Sequence, residues 1–316
     1  MRGTSVRRIR PAVLGIAVVA GAYAVLALHD ACVKLLVANL PTTQILFIRS
    51  AMILAICMLA DRRSPARAVA SRVRGALLAR GLILLAAWLS YYSAARYLQL
   101  AELVTIYYAS PLIVAALAVP MLGERVTWTR WAAIAIGFGG VVLACRPGNL
   151  HHPVAIGLDL LAAVLWAYAI ILIRQIARHE PSVIQMLLAN SVFLVLCGAT
   201  LPWFWRTPDL SQTLLLMVVG LLGAGAQFLL YEGIKRAPAS VAAPLEFTSL
   251  AWSVGLGYLI WGNFPDWAVL GGAGLILFGG LVVVAGEWRS EARPGALSPT
   301  AGACAGVSGP RSPSLE

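Results

Sequence analysis

Residues 100–128 read LAELVTIYYASPLIVAALAVPMLGERVTW. A helix needs about 20 apolar residues to cross a bilayer, and this stretch supplies them with three intrusions: Glu102 near its start, Tyr107 and Tyr108 in its body, and Pro111 just beyond them. Pro111 has no amide proton and crowds the carbonyl one turn back, so the helix is expected to bend there. Bent helices survive in lipid only where the freed carbonyl faces protein or water. At least one of Tyr107 and Tyr108 is therefore expected to face an interior path, although packing between helices is also compatible with their position.

The rest of the chain is of the same kind. Of 316 residues, 60% are hydrophobic and 12% charged, and the mean hydropathy is +0.83. That is more apolar surface than one water-soluble core can hide, so lipid is the solvent. Apolar runs bounded by charged, proline or glycine punctuation predict ten helices, at about 12–33, 41–60, 77–95, 101–121, 129–146, 154–173, 183–200, 212–232, 238–260 and 266–285. Strand alternation is missing from runs such as GALLARGLILLAAWL, which excludes a barrel. The opening RRIR and its apolar run could mimic a signal peptide, but the run continues to His29 and reads as a span.

Charge sets the expected orientation. Nineteen Lys and Arg residues fall in alternate gaps, Arg80 among them, and four in the opposite gaps and helix ends, which puts both termini in the cytoplasm. The same placement accounts for the net charge of +11 without a nucleic-acid partner. The five cysteines have no ligand spacing, His151-His152 has no third ligand and no Walker-type loop occurs, so no metal, cofactor or enzyme activity is expected.

The chain carries a weak internal echo. LGERVTWTRWAAIAIGFGGVVLA at 122–144 is matched by WGNFPDWAVLGGAGLILFGGLVVVAG at 261–286, aligning Gly123 with Gly262 and Trp128 with Trp267. The copies lie at the fourth-to-fifth and ninth-to-tenth spans. An odd number of helices per copy makes the repeat inverted. The expected fold is an all-α polytopic membrane protein of ten transmembrane helices in two inverted five-helix repeats. Its divisions are a cytoplasmic N-terminus (1–11), a first repeat (12–146), an outer linker (147–153), a second repeat (154–286) and a disordered cytoplasmic tail (287–316).

The LGER after the fourth span, WGN after the ninth, Phe47-Ile48-Arg49 in the second and LWAYAIILIR in the sixth resemble the EamA-type members of the drug/metabolite transporter superfamily over roughly 12–286. The resemblance implies a bacterial inner-membrane secondary transporter with a central cavity between the repeats. It departs from the family pattern at Gly262-Asn263, where the second repeat lacks the acidic residue of Gly123-Glu124.

Polar groups at membrane depth are costly and mark interior sites. Arg49 is expected to pair with a carboxylate, cap carbonyls or attract a substrate carboxylate. Glu246, beside the second bend candidate Pro244, is the acidic counterpart for an ammonium group or a proton. His29, Asp30 and Lys34 form a cluster in which Asp30 and Lys34, one turn apart, can pair. Glu102 and Arg96 are a candidate gate pair. Trp88 with Tyr91, Gln227 with Tyr231, Trp166 and Asn190 suit an apolar pocket with a few hydrogen-bonding groups. The path candidates are thus Arg49, Trp88, Tyr91, Tyr107, Tyr108, Trp166, Asn190, Gln227, Tyr231 and Glu246, and the coupling or gate candidates are His29, Asp30, Lys34, Glu102 and Glu246. The expected activity is export of zwitterionic metabolites, amino acids foremost, by a protein functional as a monomer, with protons as the candidate coupling ion. Uptake of a nucleoside, vitamin or other metabolite is the alternative, and a receptor or scaffold the alternative of another class.

Overall fold

The computed structural model describes residues 11–122, 128–145, 152–176, 180–236, 248–262 and 264–291. Twelve helices and no strands occur among them: α1 (Pro11–Val37), α2 (Thr42–Ala60), α3 (Ser64–Ala70), α4 (Arg74–Ala95), α5 (Leu100–Tyr107), α6 (Ala109–Leu122), α7 (Trp128–Cys145), α8 (Pro153–Ile176), α9 (Ser182–Phe204), α10 (Leu210–Arg236), α11 (Thr248–Trp261) and α12 (Trp267–Glu291). Six of these, α1, α2, α4, α8, α9 and α10, are long and apolar enough to cross a bilayer. The chain is a polytopic helical membrane protein.

The stretch at 100–122 is two helices. Their junction is Tyr108, with φ −68° and ψ 1°, whose amide donates to the Val104 carbonyl at 3.1 Å. The proton missing at Pro111 is the one that would reach the carbonyl of Tyr107. Pro111 itself sits in the first turn of α6, where a missing donor is tolerated. Pro244 lies outside the described residues.

Helix ends explain two further departures from the sequence reading. α1 continues through Lys34 to Val37, and the Lys34 ammonium donates to the carbonyl of Ala95, at 3.0 Å, and to that of Leu98, both at the end of α4. In exchange Arg96 donates to Val37 O at 2.7 Å and to Leu40 O at 3.1 Å, at the end of α1. Each cation thus satisfies carbonyls that the neighbouring helix leaves open and sits at the negative end of that helix's dipole. Lys34 does not pair with Asp30, and Arg96 forms no ion pair with Glu102; among the described residues Arg67–Asp61 is the ion pair, and His29 hydrogen-bonds Asp30. α10 begins on a reciprocal cap: Asp209 accepts from the Gln212 amide at 2.7 Å, and the Gln212 side chain accepts from the Asp209 amide at 3.2 Å. The bond from the Gln212 amide, with those from Ser211, holds the Asp209 carboxyl below its ordinary range.

The most extensive pairings are α7 with α12, α1 with α10, α4 with α8, and α2 with α9. Laying the five segments of 13–146 (α1, α2, α4, α5–α6, α7) onto those of 154–285 (α8 to α12) maps α7–α12 and α2–α9 onto themselves and exchanges α1–α10 with α8–α4. The lesser pairing of α1 with α11 likewise exchanges with that of α8 with α5 and α6. A two-repeat architecture accounts for this pattern. On α7 and α12 the backbones approach at Gly140 and Gly272: a Cβ added at Gly140 would lie 2.6 Å from the Gly272 carbonyl oxygen. Only glycine permits that spacing. α8 presents Ala162, Ala163, Ala167 and Ala169, all fully buried, so its neighbours also pack closely.

Candidate translocation cavity

Two interior cavities meet at a shared wall of Leu26, Trp88 and Trp166. The first, about 620 Å³ including space open to solvent, is bounded by α1, α4, α5, α8 and α11, with Asp30, Tyr91, Tyr107, Tyr108 and Ser249 in its lining. The second, about 440 Å³ on the same measure, is lined by Arg49, Asn190, Gln227 and Tyr231 among apolar side chains, and by Gly223. One side of the wall therefore carries an acid and hydroxyls; the other carries a guanidinium and amides.

Trp88 and Tyr91 share a face of α4, as their spacing of three requires. Their rings are 6.1 Å apart, edge to face, and Trp88 meets Trp166 in the same way at 6.2 Å. Tyr107 closes on Tyr91 at 5.1 Å. Tyr108 turns the other way along the break and bonds Ser249 of α11. The helix break in the 100–122 stretch thus lets two adjacent tyrosines both line the first cavity.

Arg49 is buried, 3% exposed. Its partner is neither a carboxylate nor a carbonyl: the guanidinium carbon stands 4.4 Å from the centre of the Trp88 ring, where the π face attracts it. One terminal nitrogen approaches the Tyr92 hydroxyl at 3.5 Å, and Nε has no hydrogen-bond partner. Gly223 makes room for it, since a Cβ there would lie 2.8 Å from Nε.

A chain of polar contacts leads from Arg49 around the edge of Trp88 into the first cavity. Tyr92 Oη lies 3.3 Å from His29 Nε2, His29 Nδ1 lies 3.1 Å from Asp30 Oδ1, and Tyr91 donates to Asp30 Oδ2 at 3.1 Å. One proton arrangement satisfies every link: Tyr92 donates to Nε2, and a neutral His29 donates from Nδ1. Asp30 then accepts two hydrogen bonds. His29 itself is fully buried and lies behind the cavity wall.

In the second cavity Asn190 donates to Gln227 at 3.2 Å, and Gln227 to the Tyr231 hydroxyl at 3.1 Å. Arg80 continues this network, donating to Tyr231 Oη at 3.3 Å and to Ala169 O at 3.1 Å. At 1% exposure Arg80 is an interior residue, which corrects its placement among the cytoplasmic surface charges. Two interior residues were not singled out from sequence. One is Arg80. The other is Asp159, fully buried on α8; its signal was present, as one carboxyl within an apolar run of 24 residues. Glu102 is partly buried on α5 and outside the cavity linings. Glu246 lies outside the described residues. Among the described residues, no three His, Cys, Asp or Glu side chains gather as a metal site.

Comparison with known proteins fits this arrangement of two halves around a cavity. The model of the EamA-like transporter family matches residues 13–146 and 154–285. The chain belongs to that family. Members of the EamA-like family are transporters and not enzymes, and this chain is a membrane transporter. An S-adenosylmethionine uptake transporter of Rickettsia bellii is 26% identical over 214 residues, 68% of this chain and 74% of the relative. A riboflavin transporter of Rhizobium johnstonii is 30% identical over 66% of this chain and 68% of its own length. The pseudopaline exporter CntI of Pseudomonas aeruginosa PAO1 is 28% identical over 78% of this chain and 88% of its own. One crystal structure, 19% identical, superposes with a TM-score of 0.65 over 89% of this chain and 98% of its own, a likeness of fold.

Proposed function

We propose that this EamA-like protein is a secondary transporter of small zwitterionic metabolites, amino acids foremost, working in the export direction by alternating access. In this reading the chain crosses a bacterial inner membrane ten times as two inverted five-helix repeats, with both termini in the cytoplasm and one copy sufficient for transport. The observation that carries the substrate class is the opposition of Asp30 and Arg49 in adjoining cavities across the Trp88–Trp166 wall. Asp30 and the tyrosine and tryptophan faces suit an ammonium group. The Arg49 guanidinium, with Nε unpartnered, suits a carboxylate. The ammonium and carboxylate of an amino acid share one carbon, so both residues meet it together only when the Trp88–Trp166 wall parts during alternating access; they then replace hydration that the zwitterion gives up on leaving water. Apolar walls then accept side chains of different shape at modest affinity, which suits a protein that must release what it binds.

The named relatives include both uptake and export proteins, and export is the direction we propose. The test is counterflow of labelled amino acids in liposomes containing the purified protein. Saturable exchange is expected, reduced at least tenfold in Arg49→Gln and in Asp30→Asn, each 1.4 kcal/mol or more of lost interaction. Exchange of nucleosides or vitamins but no amino acid would favour the uptake-type alternative, and no flux of any kind would favour a receptor or scaffold.

A further inference from the structure

Asp159 is the least compensated charge-bearing group among the described residues. It is fully buried, and neither carboxyl oxygen has a hydrogen-bond partner. A bare carboxylate in such a place costs several kcal/mol, so the group persists only when its charge is neutralised. α8 packs on α4, α5 and α6. Tyr91 of α4, Glu102 of α5 and Asp30 of α1 are within electrostatic reach of Asp159. Residues 109–122 of α6 contain no ionisable side chain. The charges near Asp159 are thus acids. Of the described interior and helix-end cations, Lys34 is committed to the end of α4, Arg96 to the end of α1, Arg80 to Ala169, about 15 Å farther along α8, and Arg49 stands over Trp88 on the second-cavity side.

Asp30 and Asp159 therefore differ in kind. The first accepts from two donors and suits a cationic substrate group; the second has no donor. A metal ion needs several ligands, and no cluster of three occurs among the described residues. A proton needs only the carboxyl.

We propose that Asp159 is the proton-carrying carboxyl that couples substrate movement to a proton gradient, a role that rests on the transport reading above. An O–H bond forms at one carboxyl oxygen with a proton from water on one side, and the same bond breaks to water on the other side after the helices around α8 rearrange. No electron changes hands.

Infrared difference spectra of the full-length protein in lipid, recorded between acidic and alkaline buffer, are expected to contain a carboxylic-acid carbonyl band that Asp159→Asn removes. In liposomes, counterflow of a labelled amino-acid mixture without a gradient is expected to persist in Asp159→Asn. Accumulation under a one-unit pH gradient, at most about tenfold for one proton per neutral substrate, is expected to vanish in that variant and to return in part in Asp159→Glu, which also controls for folding. If the acid band is unchanged by Asp159→Asn, the proposal is overturned, as it is if pH-driven accumulation survives the substitution or if a sodium gradient is the driving force. Absence of amino-acid counterflow in the unmodified protein would instead defeat the substrate reading, leaving the infrared result to decide the proton site.

Discussion

The guanidinium of Arg49 stands 4.4 Å from the centre of the Trp88 ring, and Trp88 forms part of the wall between the two cavities. A charge that would otherwise demand a carboxylate at membrane depth is held by an aromatic face, which leaves it able to attract a substrate anion. Trp88→Leu is expected to lower stability by about 2–4 kcal/mol, of which about 2 kcal/mol is the desolvated cation–π contact and the remainder lost packing. Unfolding titrations in detergent measure this. Arg49→Met in the Trp88→Leu background should then cost little more, because the two changes remove one interaction.

The helix-end exchange of Lys34 and Arg96 supplies a second prediction. Lys34→Met and Arg96→Met should each destabilise by about 1–3 kcal/mol, since each strands carbonyls at a helix terminus. Both sets of carbonyls lie at one α1–α4 junction, so the double variant should deviate from additivity by at least about 0.5 kcal/mol. Strict additivity in a double-mutant cycle would mean that the two caps act independently.

Close approach of α7 and α12 is testable with paired alanine substitutions. Gly140→Ala places a methyl group 2.6 Å from the Gly272 carbonyl oxygen and should destabilise by about 1–3 kcal/mol. Gly139→Ala meets nothing within 4 Å and should be neutral or stabilising by up to about 1 kcal/mol. Thermal unfolding in detergent separates them, and equal effects would refute the Gly140–Gly272 contact.

The proposed orientation has its own test. In a cysteine-free background, Thr207→Cys in the exposed link between α9 and α10 should react with an impermeant maleimide added to whole cells, while Ala66→Cys on α3 should react only after lysis. Both positions are exposed on the protein, so the difference reports the side of the membrane. The opposite pattern would invert the topology.

What could be read from sequence followed the periodicity of single helices. Trp88 with Tyr91 and Gln227 with Tyr231 are neighbours on one helix face, and their spacing alone brings each pair together. Apolar runs likewise located the long helices, and the proline rule pointed to the stretch in which α5 gives way to α6. Relations between helices were not accessible in that way. Asp30 was expected to use Lys34, four residues on, but finds Tyr91, 61 residues away. Arg49 finds Trp88 and Tyr92 rather than an acid. Arg80 was counted with the surface arginines because a basic residue near the start of an apolar run ordinarily snorkels to the membrane surface. The carbonyl of Ala169 and the hydroxyl of Tyr231 hold it inside instead. A pattern along one chain gives which residues share a face, and not which faces meet.

The central claim is that Arg49 and Asp30 divide the recognition of a zwitterion between them. Its most direct measurement is inhibition of amino-acid counterflow by three competitors: the free amino acid, its methyl ester, which lacks the carboxylate, and its N-acetyl derivative, which lacks the ammonium. The account predicts that the unmodified protein prefers the free amino acid over both. Arg49→Gln should lose the preference over the ester alone, and Asp30→Asn the preference over the N-acetyl derivative alone. If both variants retain the discrimination of the unmodified protein, neither residue recognises the substrate and the account is wrong.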